Sequence, residues 1–132
     1  MYIKVLAKNV NGKFTKKVEE LSGQNILKCY QCGKCSGGCP MIEDMDLLPN
    51  QVIRYVQLGE EAILDSKTIW LCASCFTCAV RCPKGVDLAK VMEALRLIVL
   101  RKNFDYIKLN AIQDIGKLPQ IALISSFRKM TS

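Results

Sequence analysis

Cys29, Cys32 and Cys35 are followed by Cys39 and Pro40, and Cys72, Cys75 and Cys78 by Cys82 and Pro83. Both groups read Cys-x2-Cys-x2-Cys-x3-Cys-Pro, the second begins 43 residues after the first, and none of the eight cysteines is left over. Thiolates at this spacing are the ligand run of bacterial-type [4Fe–4S] sites. Three cysteines at steps of three let a tight loop curl around one cubane and meet three of its irons. The fourth lies too far along the chain and is directed away by its proline, so it normally goes to the other cluster. The spacing therefore predicts a crossed set, with Cys29, Cys32, Cys35 and Cys82 on one cluster and Cys72, Cys75, Cys78 and Cys39 on the second. An uncrossed set stays open, because spacing does not show which thiolate reaches which iron.

Other uses of eight cysteines fit less well. Four disulfides need an oxidising compartment, and the opening residues, Met1 to Val10, lack the apolar core and cleavage site of a signal peptide. The most apolar stretch, Ala94 to Leu100, is interrupted by Arg96 and is too short to span a bilayer. The expected setting is the cytoplasm, where thiols stay reduced and no membrane span is needed. Four-cysteine zinc sites usually pair two Cys-x2-Cys knuckles across a longer spacer, with no third cysteine at the next step. A zinc interaction module is thus a remote alternative.

What is absent narrows the chemistry. The chain contains no histidine, which excludes histidine-based catalytic dyads and triads, Cys/His zinc fingers and Rieske centres. No GxGxxG or P-loop occurs. With every cysteine used as a ligand there is no free nucleophile and no evident general base, so no catalytic residue is expected. Outer-sphere electron transfer remains, in which the protein supplies position, insulation and potential. The formal charge of +7 is largely counter-charge: an oxidised cube with four thiolates carries about −2, so two bring the total near about +3, or about +1 when both are reduced. Lysines and arginines are scattered without an aromatic-interleaved basic stripe, so no nucleic-acid partner is expected.

The 132 residues, half of them hydrophobic, can bury a core. A helix is expected from Pro49, with Val52, Ile53, Val56 and Leu58 on one face and Gly59 as its stop. A short turn runs from Glu61 to Asp65. Asp87 is a good N-cap for a second helix carrying Leu88, Val91, Met92, Leu95, Ile98 and Val99, with Arg101 and Lys102 at its end. Phe104, Ile107, Ala111, Ile112 and Ile115 predict another helix stopping at Gly116, and Pro119 opens a last one with Ile121, Ile124 and Phe127. Near the start, Val5 and Leu6, the Asn11-Gly12 pair and Phe14 fit a short β-hairpin. The fold class is mainly α: an α-helical ferredoxin with two cluster-binding loops. Its expected parts are an N-terminal arm over 1–21, either docking element or flexible lead, a two-cluster domain over 22–102 and a helical tail over 103–132.

Gly33, Gly37 and Gly38 are expected to let the first loop turn tightly and bring its N–H groups to the inorganic sulfides. The second loop, with Ala73, Ser74, Phe76, Thr77, Ala79 and Val80, is bulkier and less polar, which predicts unequal potentials without ranking them. Trp70 is expected as a buried aromatic beside a cluster, with shielding or an electron route as the sharper reading.

These residues resemble the C subunit of heterodisulfide reductase. The likeness lies in Ser22-Gly23-Gln24-Asn25, Cys29-Tyr30-Gln31-Cys32-Gly33-Lys34-Cys35, Gly38-Cys39-Pro40, Pro49-Asn50-Gln51-Val52-Ile53-Arg54 and Gln57-Leu58-Gly59. It continues in Lys67-Thr68-Ile69-Trp70-Leu71-Cys72-Ala73-Ser74-Cys75-Phe76-Thr77-Cys78 and Arg81-Cys82-Pro83-Lys84-Gly85-Val86-Asp87. The resemblance covers about residues 22 to 100, and the tail more loosely. It implies a two-cluster electron-transfer subunit of a larger oxidoreductase complex. Electrons would pass from an A-type flavin and iron–sulfur subunit to a B-type subunit with cysteine-rich domains, where a disulfide is reduced. The competing readings are a free-standing dicluster ferredoxin shuttle and the iron–sulfur subunit of another flavoprotein oxidoreductase. The basic charge and the apolar tail weigh against a shuttle. The absence of a plant-type [2Fe–2S] domain weighs against the second.

Overall fold

The computed structural model describes residues 12–102 and 115–130, and among them there is no β-strand. The chain divides into two compact units, with the boundary between Leu100 and Arg101. The first is built from helices α1 (Lys13–Ser22), α2 (Lys34–Gly37), α3 (Pro49–Leu58), α4 (Thr68–Leu71), α5 (Thr77–Arg81) and α6 (Leu88–Leu100), with 3-10 turns at Ile26–Lys28 and Glu61–Asp65.

Helix α3 forms where its sequence places it. Pro49 occupies the first turn, the Gln51 side chain accepts the Leu48 N–H at 2.9 Å, and Gly59 closes the helix at φ 71°. Val52, Ile53, Val56 and Leu58 are all buried. Asp87 caps α6, accepting the N–H groups of Ala89 and Lys90 at 3.1 and 3.3 Å. Leu88, Val91, Met92 and Leu95 are buried, while Ile98 and Val99 pack partly buried against the same core. At ~25 cal/mol per Å2 each such side chain stabilises the fold by about 1.5–3 kcal/mol.

The segment before Ser22 differs from expectation. Phe14, assigned above to a hairpin strand, lies in α1, where it is buried with Thr15, Val18 and Ser22. Those four share one helical face, which packs on α6 and α3, and the Thr15 hydroxyl donates to the Val56 carbonyl at 2.8 Å. Lys13–Ser22 thus packs on the other helices as a helix rather than pairing as a strand. Val5, Leu6 and Asn11 lie outside the described residues.

In the second unit a 3-10 turn at Ile115–Lys117 precedes helix α7 (Gln120–Met130). As expected, Pro119 begins α7, its carbonyl accepting the N–H groups of Ala122 and Leu123 at 3.0 and 3.2 Å. Ile121 and Ile124 are exposed. The helix expected over Phe104 to Ile112 lies outside the described residues.

The internal repeat is visible in the backbone. Residues 43 apart match: Gln31 and Ser74 both have positive φ (63° and 51°), as do Gly33 and Phe76 (75° and 59°). Each run thus turns at the same two left-handed positions, and only one of the four is glycine. Helices α2 and α5, also one repeat apart, pack against each other.

Candidate functional site

Each cysteine run leaves a short helical turn, loops through the two left-handed residues and enters a one-turn helix, α2 or α5. Cys32 and Cys75 stand exposed at the loop tips, and the other six cysteines are partly buried. None is in a disulfide. Cys29, Cys35, Cys72, Cys78 and Cys82 pack on the hydrophobic core. Among the described residues no three Cys, Asp or Glu side chains converge closely enough to hold a single metal ion.

One cavity brings the second run together with a residue of the first. It is lined by Cys72, Cys75, Cys78 and Cys39, and otherwise largely by apolar side chains including Pro40, Met45, Phe76, Leu88 and Met92. On the other side of the repeat, Tyr30 lies within electrostatic reach of Cys32, Cys82 and Cys29. Lys84 places its ammonium 5.7 Å from the centre of the Tyr30 ring. The third cysteines of the runs, Cys35 and Cys78, also interact electrostatically.

The donor set suits [4Fe–4S] clusters: eight reduced sulfurs, apolar walls and polar hydrogens aimed at sulfur. Val86 N–H donates to Cys82 Sγ at 3.3 Å, and Gln31 Nε2 to Cys29 Sγ at 3.6 Å. Thr77 Oγ1 lies 3.4 Å from Cys75 Sγ and lowers that thiol's pKa by its side-chain and backbone hydrogen bonds. Burial pushes the Cys78 thiol up to about 11, with Cys72 adding to it, and burial likewise raises Cys35.

Gly38 serves a different end from the turning role expected of it. A Cβ there would lie 2.6 Å from Arg81 Nη1 and 2.7 Å from Arg81 Cδ, so the glycine makes room for the arginine against the backbone beside Cys39. Gly38 and Arg81 are themselves one repeat apart. Trp70 corrects a second expectation: it is 47% exposed and does not line the cavity. Helix α4 turns Thr68 and Ile69 inward, which leaves the next residue outside.

Two side chains that spacing did not single out hold the runs in place. Gln57 Nε2 donates to the carbonyls of Ile26 and Cys29 at 3.0 and 2.9 Å. Arg96 donates from Nε to the carbonyl of Ile69 and from Nη2 to that of Cys72 at 2.6 Å. Ile26 and Ile69, like Cys29 and Cys72, are one repeat apart, and Gln57 and Arg96 are each the ninth residue of their helix, counted from Pro49 and Leu88. A search for polar residues at matching places in the two helices would have found them.

Asp46 does similar work between the loops. Its Oδ1 accepts from Ser66 Oγ at 2.8 Å, Thr68 Oγ1 at 2.6 Å and Thr68 N–H at 2.9 Å, and its Oδ2 accepts Lys67 N–H at 3.1 Å. Partial desolvation by its neighbours would raise its carboxyl, but the hydrogen bonds from Thr68, Ser66 and Lys67 outweigh that and hold it well below the usual carboxylate range. A group depressed in the folded state contributes stability that is present above its unfolded value, about 3.9, and is lost as pH falls towards the folded one. Stability should thus hold to about pH 4 and decline below it. Asp46 is exposed, so water screens part of this effect, and Asp46→Ala should lower stability by no more than about 1 kcal/mol at neutral pH and flatten the acid limb, as read by denaturant melts across pH.

Helices, turns and paired runs together define a two-cluster α-helical ferredoxin, and residues 25–86 match the 4Fe-4S dicluster domain. The chain carries two [4Fe–4S] clusters. It is 39% identical over 101 residues to the iron-sulfur C 2 subunit of the CoB--CoM heterodisulfide reductase of Methanocaldococcus jannaschii, covering 70% of this chain and 54% of that one. Over 88 residues it is 34% identical to the C subunit of the Ferredoxin:CoB-CoM heterodisulfide reductase of Methanosarcina mazei, covering 67% and 55%. Over 78 residues it is 37% identical to the C2 subunit of the H(2)/formate:CoB-CoM heterodisulfide,ferredoxin reductase of Methanococcus maripaludis, covering 59% and 42%. Over the matched region the chain is similar to heterodisulfide reductase C subunits, and it spans about half the length of these relatives. Among the described residues no helix is long and apolar enough to cross a membrane.

Proposed function

We propose that this chain is the electron-transfer subunit of a cytoplasmic heterodisulfide reductase-like complex, taking electrons from an A-type flavin and iron–sulfur subunit and delivering them to a B-type disulfide-reducing subunit. The clusters, when bound, supply one-electron redox chemistry; the chain positions them, shields them and sets their potentials. The observation that carries the reading is the cavity in which Cys39 stands with Cys72, Cys75 and Cys78. It supports the crossed ligand set, with Cys82 joining Cys29, Cys32 and Cys35; the placing of Tyr30 among Cys29, Cys32 and Cys82 points the same way. The exposed tips Cys32 and Cys75 are the places for electron entry and exit. The C-terminal tail, with Ile121 and Ile124 exposed on α7, is assigned to partner docking.

The test is iron and acid-labile sulfide on anaerobically purified protein, with EPR before and after dithionite. The expected result is about eight of each per chain and two interacting reduced [4Fe–4S] signals. Zinc without sulfide would overturn it. Co-purification with a flavoprotein and a cysteine-rich protein is expected for the complex, whereas a monomer that passes electrons freely between unrelated enzymes would favour a shuttle.

A further inference from the structure

The two halves of the body are built alike, but the side chain that anchors each cysteine run is not. Gln57 holds the Ile26 and Cys29 carbonyls, and Arg96 holds the matching Ile69 and Cys72 carbonyls. The mechanical task is the same, and a neutral amide performs it on one side. A guanidinium at the equivalent place adds a permanent positive charge, hydrogen-bonded to the backbone of a cluster ligand. Arg96 is only partly exposed, so water and salt screen it less than a surface cation.

We infer that Arg96 raises the reduction potential of the cluster held by Cys72, Cys75 and Cys78 and makes it the higher of the two. This rests on the two-cluster reading but not on the crossed ligand set, because Cys72 belongs to the second run in either arrangement. One-electron reduction adds a negative charge to the cube without requiring a proton. A fixed cation nearby favours the reduced form over the oxidised one.

The competing groups do not cancel this. Lys28, Lys34 and Lys84 near the first run are exposed and therefore screened. The Gln31 N–H aimed at Cys29 and, in the crossed set, the Val86 N–H aimed at Cys82 raise the first site's potential, but a dipole's influence falls off faster with distance than that of a full charge. Arg81, lying against Gly38 beside Cys39, is exposed and screened in the same way.

The experiment is an EPR-monitored redox titration of the full chain with both clusters reconstituted under argon. Cys75→Ser identifies the signal belonging to the second run. In the unsubstituted protein that signal should have the higher potential. Arg96→Gln, which copies the side chain used at position 57, should lower that potential and leave the other in place. Arg96→Lys, keeping the charge with fewer donors, should retain most of it. The inference is overturned if the marked signal is the lower one, if Arg96→Gln leaves it unmoved, or if Arg96→Lys lowers it as far as glutamine does. The ordering is read without any Arg96 variant, so a variant that fails to hold its cluster does not shield the proposal. Failure of the two-cluster reading looks different: iron well below about eight per chain, or one signal in place of two.

Discussion

Cys39→Ser is expected to remove the cluster of the opposite cysteine run while sparing that of its own. Cys39 is fixed by its N–H donating to the Ser36 carbonyl at 3.1 Å, at the exit of α2, and Pro40 follows at once. From there it lines the cavity with Cys72, Cys75 and Cys78 rather than returning to Cys29. A serine oxygen is harder and, as a neutral hydroxyl, a poorer iron ligand than a thiolate, and of the remaining three thiols Cys72 and Cys78 are partly buried while Cys75 is exposed. Iron should fall from about eight to about four per chain, with the surviving EPR signal insensitive to a further Cys75→Ser change. The mirror variant, Cys82→Ser, should remove the cluster of Cys29, Cys32 and Cys35. If Cys39→Ser instead removed that cluster, the ligand set would be uncrossed and the repeat would hold each cube within one run.

Much of this molecule is readable because its chemistry lies in spacing. The cysteine runs, the caps at Pro49 and Asp87, the Gly59 stop and the Glu61–Asp65 turn are local signals, and local signals survive folding. Helix α1 is hidden because its apolar face holds only Phe14 and Val18 beside Thr15 and Ser22, two polar residues that become buried through packing and hydrogen bonding. The same reason keeps Gln57, Arg96 and Asp46 out of view. A glutamine in a helix or an arginine in an apolar stretch reads as surface until the carbonyls it meets, 27 or more residues away for Ile69 and Ile26, are brought to it. Trp70 is misplaced by its sequence because hydrophobicity gives burial on average, whereas the turn of α4 decides which neighbour faces in. Spacing picks out the cysteine runs; what holds the runs in place depends on long-range contacts.

Gln57→Leu separates these two layers. Leucine nearly matches glutamine in volume, so little packing is lost, but the Ile26 and Cys29 carbonyls lose a donor in a place where Gln57 itself is 7% exposed. Each carbonyl left unsatisfied costs about 1–3 kcal/mol, so a loss of about 2–6 kcal/mol is expected. For a body of this size that lowers the melting temperature by on the order of 10 °C or more. The loss should also be one-sided. The turn at Ile26–Lys28 feeds directly into Cys29, so loosening it should release the first run's cluster to a chelator well before the second, which Arg96 still anchors. Thermal melts and the order of iron release decide the matter. A melting temperature within a degree or two of the unsubstituted protein, or earlier release from the Cys72 run, would mean that the core alone positions the loops. The Gln57 and Arg96 pairing would then be an accompaniment of the repeat rather than its means of holding the clusters.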